Sequence, residues 1–313
     1  MNTYLSNQEK NFIIDGIQDG VRNDGRGLFD YRPIYFETGV LATTNGSAKV
    51  QVDNTVVLVG VRADIVERDS SECPNKLRFF VDFSAVASPA FVGRGGNEYG
   101  EELSSILANA YDNDDSIGNI SKLIISDKYM WTVYVDIVVL RCGGSVMDAA
   151  SIGVKAALAT AEICEMIVRP ADQGKQILDL PDNFKTWKLD LSRAPLVIGV
   201  TKIGEHSVVD ATIAEESCST GTLFVAVKPA NCEGINMDDE ASFDANSLVL
   251  CVRKSREGCL DVESIEDMLN TAVRASLPLN RAIETRLRDE AKSIADSREL
   301  GGTHTALNNI MFP

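Results

Sequence analysis

The chain has 313 residues, 44% of them apolar and 24% charged, which are the proportions of a folded protein with an ordinary core. Its length suits one large domain or two small ones, at about 100–200 residues per domain. The net charge is −16 and the isoelectric point near 4.6, so most of the surface repels phosphate. This excludes a protein that grips nucleic acid through a broad basic face. Any RNA contact is expected to be local, or shared with basic partners.

No stretch approaches the roughly 18 uncharged apolar residues of a membrane span. The start, Met1 to Lys10, lacks a basic segment followed by an apolar core, so no secretory signal is expected. The seven cysteines (Cys73, Cys142, Cys164, Cys218, Cys232, Cys251 and Cys259) form no C-x-x-C pair, and His206 and His304 are the only histidines. That pattern argues against a zinc site and for free thiols in a reducing compartment; no metal and no cofactor are expected.

In chain order, a helix starts at Ser6, with Glu9 completing a capping box and Phe12, Ile13, Ile17 and Val21 at helical spacing. Asp24 to Gly27 forces a turn. Strands are predicted at Ile34–Thr38, Ala48–Val52, Thr55–Ala63 and Leu77–Val86, a meander of antiparallel strands. A glycine-rich loop spans Phe91–Gly96, and a helix covers Glu98–Tyr111. Leu123–Ser126 and Trp131–Leu140 read as further strands. Met147 to Cys164 is the clearest helix, and its many alanines allow close approach to a sheet. Pro170 to Pro181 reads as a linker or boundary.

The second half repeats strands and then helix. Its strands are Leu196–Val200, Ser207–Asp210, Thr222–Val227 and Leu248–Val252. Pro229 to Asn246 reads as an exposed acidic insertion carrying Glu233, Asp238, Asp239, Glu240 and Asp244. Asp261 caps a helix with Ile265, Met268, Leu269, Ala272 and Val273 on one face. Pro278 is expected to break it, and a more charged helix to run from about Asn280 to Ser297. Gly301 onward reads as a flexible tail. Blocks of strands followed by helices imply an α+β class.

Four short patterns carry more than their local meaning. Arg22-Asn23-Asp24-Gly25-Arg26 is a tight turn between two guanidinium forks, and by itself only a helix stop. Gly46 to Val50 followed by Asn54 to Leu58 is by itself only a hairpin. Asp136 to Leu140 leads into Gly143-Gly144 and then Asp148-Ala149 at the head of the alanine-rich helix. Val209-Asp210-Ala211-Thr212 runs on to Glu215-Glu216. In this order the four resemble the RNase PH family over about residues 5–275. Phe79 to Ser84, Phe91 to Gly96 and Val209 to Glu216 narrow the resemblance to the ring subunits of the eukaryotic RNA exosome.

The resemblance implies an RNase PH-like fold, of the ribosomal protein S5 domain 2-like type, with mixed sheets and packed helices. It implies one subdomain over residues 1–185, a second over 186–300 with the insertion at 229–246, and a tail at 301–313. It further implies a hetero-hexameric ring with other RNase PH-like subunits, S1 or KH caps, a separate catalytic nuclease, single-stranded RNA in a channel, and a place in nucleus, nucleolus and cytoplasm.

Active members use phosphate to cleave RNA from its 3′ end. They hold that phosphate with a small hydroxyl residue and an arginine at a helix N-terminus. Here the position reads Gly143-Gly144-Ser145-Val146: Ser145 keeps the hydroxyl, and Val146 has no fork to offer. Asp210 and Glu216 match the spacing of family acids. One reading makes them a surviving site; the other has Asp210 starting a turn, with Glu215 and Glu216 facing solvent or a neighbouring subunit. The expectation is a non-catalytic ring subunit with a degenerate site near Ser145, Val146, Asp210 and Glu216, and Arg94 as the candidate RNA contact. Two alternatives stand beside it: an active phosphate-dependent 3′-to-5′ exoribonuclease, and an acidic small-molecule enzyme or scaffold outside the family. The scarcity of histidine, the commonest general base, weighs against the last.

Overall fold

A computed structural model describes residues 5–68, 75–94, 96–112, 116–170, 176–181, 185–229, 249–255 and 258–299. Helix α1 (Asn7–Gln18) opens the chain, with Ser6 and Glu9 capping each other as expected. Strands β1 (Ile34–Thr38), β2 (Gly46–Val52), β3 (Thr55–Glu67) and β4 (Leu77–Phe83) follow, then α2 (Asn97–Tyr111), β5 (Tyr129–Arg141) and α3 (Val146–Thr160). The five strands form one sheet in the order β1-β2-β3-β5-β4. All its pairs are antiparallel except β4 with β5, where α2 supplies the crossover that a parallel pair requires.

The chain then makes two small ladders. Strand β6 (Glu162–Cys164) pairs with β9 (Thr186–Lys188), and β7 (Ile167–Pro170) pairs with β8 (Gln176–Asp179). A second sheet follows, in the order β11-β10-β12-β13, from β10 (Leu196–Ile203), β11 (His206–Val209), β12 (Gly221–Val227) and β13 (Val249–Ser255). The short helix α4 (Ile213–Ser217) joins β11 to β12, and α5 (Val262–Glu299) ends the described chain.

Helix α3 is the central layer. Every residue from Val146 to Leu158 is buried, because the helix is clasped between β2 and β3 on one side and β10 on the other. Small residues make the approach possible. A Cβ on Gly46 would lie 2.5 Å from the carbonyl oxygen of Ala157, and one on Gly153 would lie 2.7 Å from Val59. On the far side, the amides of Val197 and Gly199 donate to Ser151 Oγ (2.7 Å) and Asp148 Oδ1 (2.6 Å), which pins β10 to the helix. One large core therefore runs through both sheets, while α1 makes a smaller one, seating Ile13 and Ile17 on Ile203 and Val208.

Several expectations need correction. Leu123–Ser126 is not a strand; Ile120–Leu123 is a 3₁₀ turn followed by a single bridge from Ile124 to Met130. Strand β4 stops at Phe83, because a turn begins at Ser84, whose carbonyl accepts from Ala87 N. Helix α3 ends at Thr160, since residues 162–164 leave as β6 to pair with β9. Part of the stretch read as a linker is the β7–β8 hairpin. Pro278 does not end α5, which continues to Glu299.

A proline inside a helix costs about 3 kcal/mol through one lost bond and a steric clash. Around Pro278 the cost is offset by burial, since Leu277, Leu279 and Ile283 all pack into the main core. Lys155 of α3 adds a tie just beyond the proline. Its buried ammonium donates to Ala194 O at 3.1 Å and to Asn280 Oδ1, and lies 3.5 Å from Glu284. Burial lowers its pKa to about 8. The acidic insertion and the tail lie outside the described residues.

Candidate functional site

Four segments meet where β5 hands over to α3. They are the turn after α1, the residues just before β1, the loop Gly143-Gly144-Ser145, and the segment from Asp210 through α4. Thr55 fixes the loop, donating to Gly144 O at 2.7 Å and accepting from Gly143 N at 3.1 Å. Gly144 is required there: its φ is +98°, and a Cβ would fall 2.4 Å from Ala211 O. Among the described residues, three that are not glycine also hold left-handed backbone, Asp53, Ser145 and Asp210. Such strain gathers at ligand-handling sites and turns, and persists only where the surroundings over-determine it.

Asp210 is the hub. Its side chain is 0% exposed, and Arg32 grips it bidentately, with Nη2 2.7 Å from Oδ1 and Nε 2.9 Å from Oδ2. The amide of Arg32 donates to Oδ2 at 2.8 Å, and Arg26 Nη1 reaches the same oxygen at 3.0 Å. Arg32 also donates to the carbonyls of Gly143 and Gly144, so one guanidinium binds the loop and the acid together. Burial alone would push the Asp210 pKa up; the bonds and charge of Arg32, with Arg26 behind it, outweigh that and hold the carboxyl below the usual range.

Arg22 plays the matching part beside it. It donates to Glu215 at 2.8 and 2.6 Å, and to the backbone carbonyls of Val209 and Asp210. Glu215 also closes a capping box with Thr212 at the start of α4. The Ser145 amide, at the head of α3, donates to Glu216 Oε1 at 2.8 Å. The loop thus brings Ser145, Asp210 and Glu216 together, as their spacing implied. Glu215 and Glu216 do not face solvent, however; both are buried, Glu215 against Arg22 and Glu216 against the Ser145 amide. Val146 is 2% exposed and belongs to the main core.

Below the hub sit Tyr31 and Asp148. Tyr31 Oη and Asp148 Oδ2 are the buried side-chain atoms without a hydrogen bond among the described residues. Burial, and then the charge of Asp210, push the Asp148 pKa up to about 8. A folded-state value above the unfolded one means that the folded chain binds the extra proton. Stability from this group is therefore greatest below about pH 4 and falls as pH rises toward 8. Asp148→Asn mimics the protonated form and still accepts from Gly199. It is expected to flatten that fall in urea titrations between pH 5 and 8; an unchanged slope would mean that Asp148 is already ionised.

Arg94 lies apart from the hub but at the same end of the first sheet. Parallel pairing sets Phe83 of β4 beside Val139 of β5, so the loops leaving both strands start side by side. Arg94 is exposed and has no side-chain partner among the described residues; its carbonyl accepts from Asn97 N at 3.2 Å. No group of three or more His, Cys, Asp or Glu among the described residues is placed to hold a metal ion. No described helix is long and apolar enough to cross a membrane. Sequence reasoning missed Arg32, which stands in no pattern, and took Asp148 only as part of a motif.

Two models of one family, one for each of its domains, match separate parts of this chain. Residues 30–164 match domain 1 of the 3′ exoribonuclease family, and residues 194–275 match domain 2. The chain belongs to the 3′ exoribonuclease (RNase PH) family. Among relatives in this family is the exosome complex exonuclease RRP42 of Dictyostelium discoideum, 29% identical over 91% of this chain and 98% of that one. The exosome complex component Rrp42 of Pyrococcus furiosus is 28% identical, over 88% of this chain and 92% of its own. The fold is shared with a chain of the Archaeoglobus fulgidus exosome with RNA bound to the active site. That chain aligns at TM-score 0.70 and 22% identity, over 88% of this chain and 97% of its own.

Proposed function

We propose that this RNase PH-like chain is a non-catalytic, structural ring subunit of the RNA exosome, the complex that processes and degrades RNA from its 3′ end. One observation carries the loss of catalysis: the Asp210 carboxylate is buried and engaged by two arginine side chains and a backbone amide. A catalytic acid must reach its substrate, or a metal bound to it, and this one has no free path. The phosphate side is closed by the same logic. Val146 offers no guanidinium, and the amide of Ser145 is taken by Glu216, so one of the chain's own carboxylates stands where an anion would bind.

The ring role draws on the likeness to Rrp42 chains over nearly their whole length. Its neighbours are other RNase PH-like subunits in a hetero-hexameric ring, with S1 or KH caps above and a separate catalytic nuclease receiving the RNA. Arg94, exposed on its loop, contacts single-stranded RNA in the channel. The complex works in nucleus and nucleolus, and also in the cytoplasm.

The deciding experiment purifies the tagged chain from its own cells, weighs the native complex and identifies its constituents. Several other RNase PH-like chains with S1- or KH-type caps are expected. A homohexamer or a lone monomer would sink the ring reading. Release of nucleoside diphosphates when the pure chain meets RNA and phosphate would instead establish an active exoribonuclease.

A further inference from the structure

The helices packed on the first sheet lie on one side of it, α2 against β4 and α3 against β2 and β3. Across its middle and β4 side, the opposite face carries no layer among the described residues; near Gly60, Leu41 and Thr44 approach it. Strand register lines up Arg62 of β3, Tyr134 of β5 and Arg78 of β4 in one row of that face. The two guanidinium groups sit 5.2 and 5.9 Å from the centroid of the Tyr134 ring. Phe80, the next outward residue of β4, is 50% exposed and stacks on the same ring at 6.4 Å with 15° between the planes. An ordered set of arginine, tyrosine and phenylalanine on an uncovered sheet is the composition concentrated at the centres of protein interfaces.

Charge selects the occupant. The next rows along the face bring Asp136 beside Phe80 and Asp82 beside Val138, both exposed, and Asp64 already pairs with Arg62 at 3.1 Å. Arg62 and Arg78 therefore stand beside three carboxylates, on a chain of net charge −16. A phosphate backbone gains nothing from such a mosaic, and the guanidinium groups that stack on Tyr134 are partly neutralised. A folded protein surface can answer it row by row, the rows being about 7 Å apart along the strand. It needs a carboxylate for Arg78, an apolar side chain for Phe80, and a cation for Asp136 and Asp82.

We infer that this face seats a neighbouring folded subunit of that charge pattern. The inference rests on the ring-subunit reading and adds to it the surface through which one neighbour is held. Its test places the photo-reactive residue p-benzoylphenylalanine at position 80 of the tagged full chain and irradiates the purified native complex. The cross-link is expected to join the chain to one other protein subunit. Phe80→Ala combined with Arg78→Glu is expected to lose that same subunit from the complex. The isolated variant should melt within about 2 °C of the parent, because both side chains are exposed. A cross-link to RNA, no cross-link within an intact complex, or an unchanged subunit composition of the double variant would each overturn the assignment while leaving the ring reading in place. A parent chain that purifies with no other subunit sinks the ring reading and this assignment with it.

Discussion

Arg32→Met is expected to cost about 3–5 kcal/mol of folding stability, the penalty for leaving a buried carboxylate without its main partner. The methionine fills much of the arginine stem's volume, so the loss reports on charge and hydrogen bonding rather than on a cavity. Arg26 keeps one bond to Asp210, which places the result toward the lower end of that range. Two further carbonyls, of Gly143 and Gly144, lose a donor in the same step, so the loop at the head of α3 loosens as well.

Arg32→Met with Asp210→Asn should recover part of the loss, because the neutral amide tolerates burial that the carboxylate does not. Urea unfolding of the two single variants and the double gives the coupling directly. The parent chain has a linked acid response. Asp210 titrates lower folded than unfolded, so its contribution is complete above the unfolded value near 4 and disappears as pH falls through the folded one. A loss under about 1 kcal/mol in Arg32→Met would show that Asp210 reaches water, and would reopen its reading as a catalytic acid.

Val146→Arg is expected to gain no phosphorolytic activity and to destabilise the chain by several kcal/mol. The family pattern invites the opposite result, since this substitution restores the residue type that active relatives use for phosphate. The obstacle is packing. Val146 sits in the first turn of α3, 2% exposed and inside the main core. A guanidinium there is either buried among the apolar side chains of the main core or forces the helix away from its neighbours. Even a tolerated arginine meets Glu216 on the Ser145 amide and Asp210 locked by Arg32. The measurement is melting temperature beside release of nucleoside diphosphates from RNA in phosphate buffer. A stable variant that releases them would mean that one missing fork is all that separates this chain from an enzyme.

Much of the fold was legible because its signals are short-range. The Ser6–Glu9 box, the alternation in β2, the apolar run of β3 and the alanine face of α3 each depend on neighbours within a turn or a hairpin. Expectations failed where a distant partner decides the outcome. Residues 162–164 read as helix but leave α3 because β9 offers them a ladder, and Pro278 stays helical because residues on both sides of it are held in the core. The short ladders β6–β9 and β7–β8 carry too few residues to show a period.

The sequence by itself determined the longer strands and helices, the family patterns, and the chemistry absent at Val146. It also brought Ser145, Asp210 and Glu216 under suspicion as one locus. Only the tertiary structure decided what the acids there do. Asp210 and Glu216 have the same residue types and spacing whether they are open to substrate or taken by other groups of the same chain. The choice depends on Arg32, 178 positions from Asp210, and on the Ser145 amide, 71 positions from Glu216. Secondary structure follows from local propensity and periodicity, whereas the state of a carboxylate follows from its surroundings in space, and those surroundings exist only once the chain has folded.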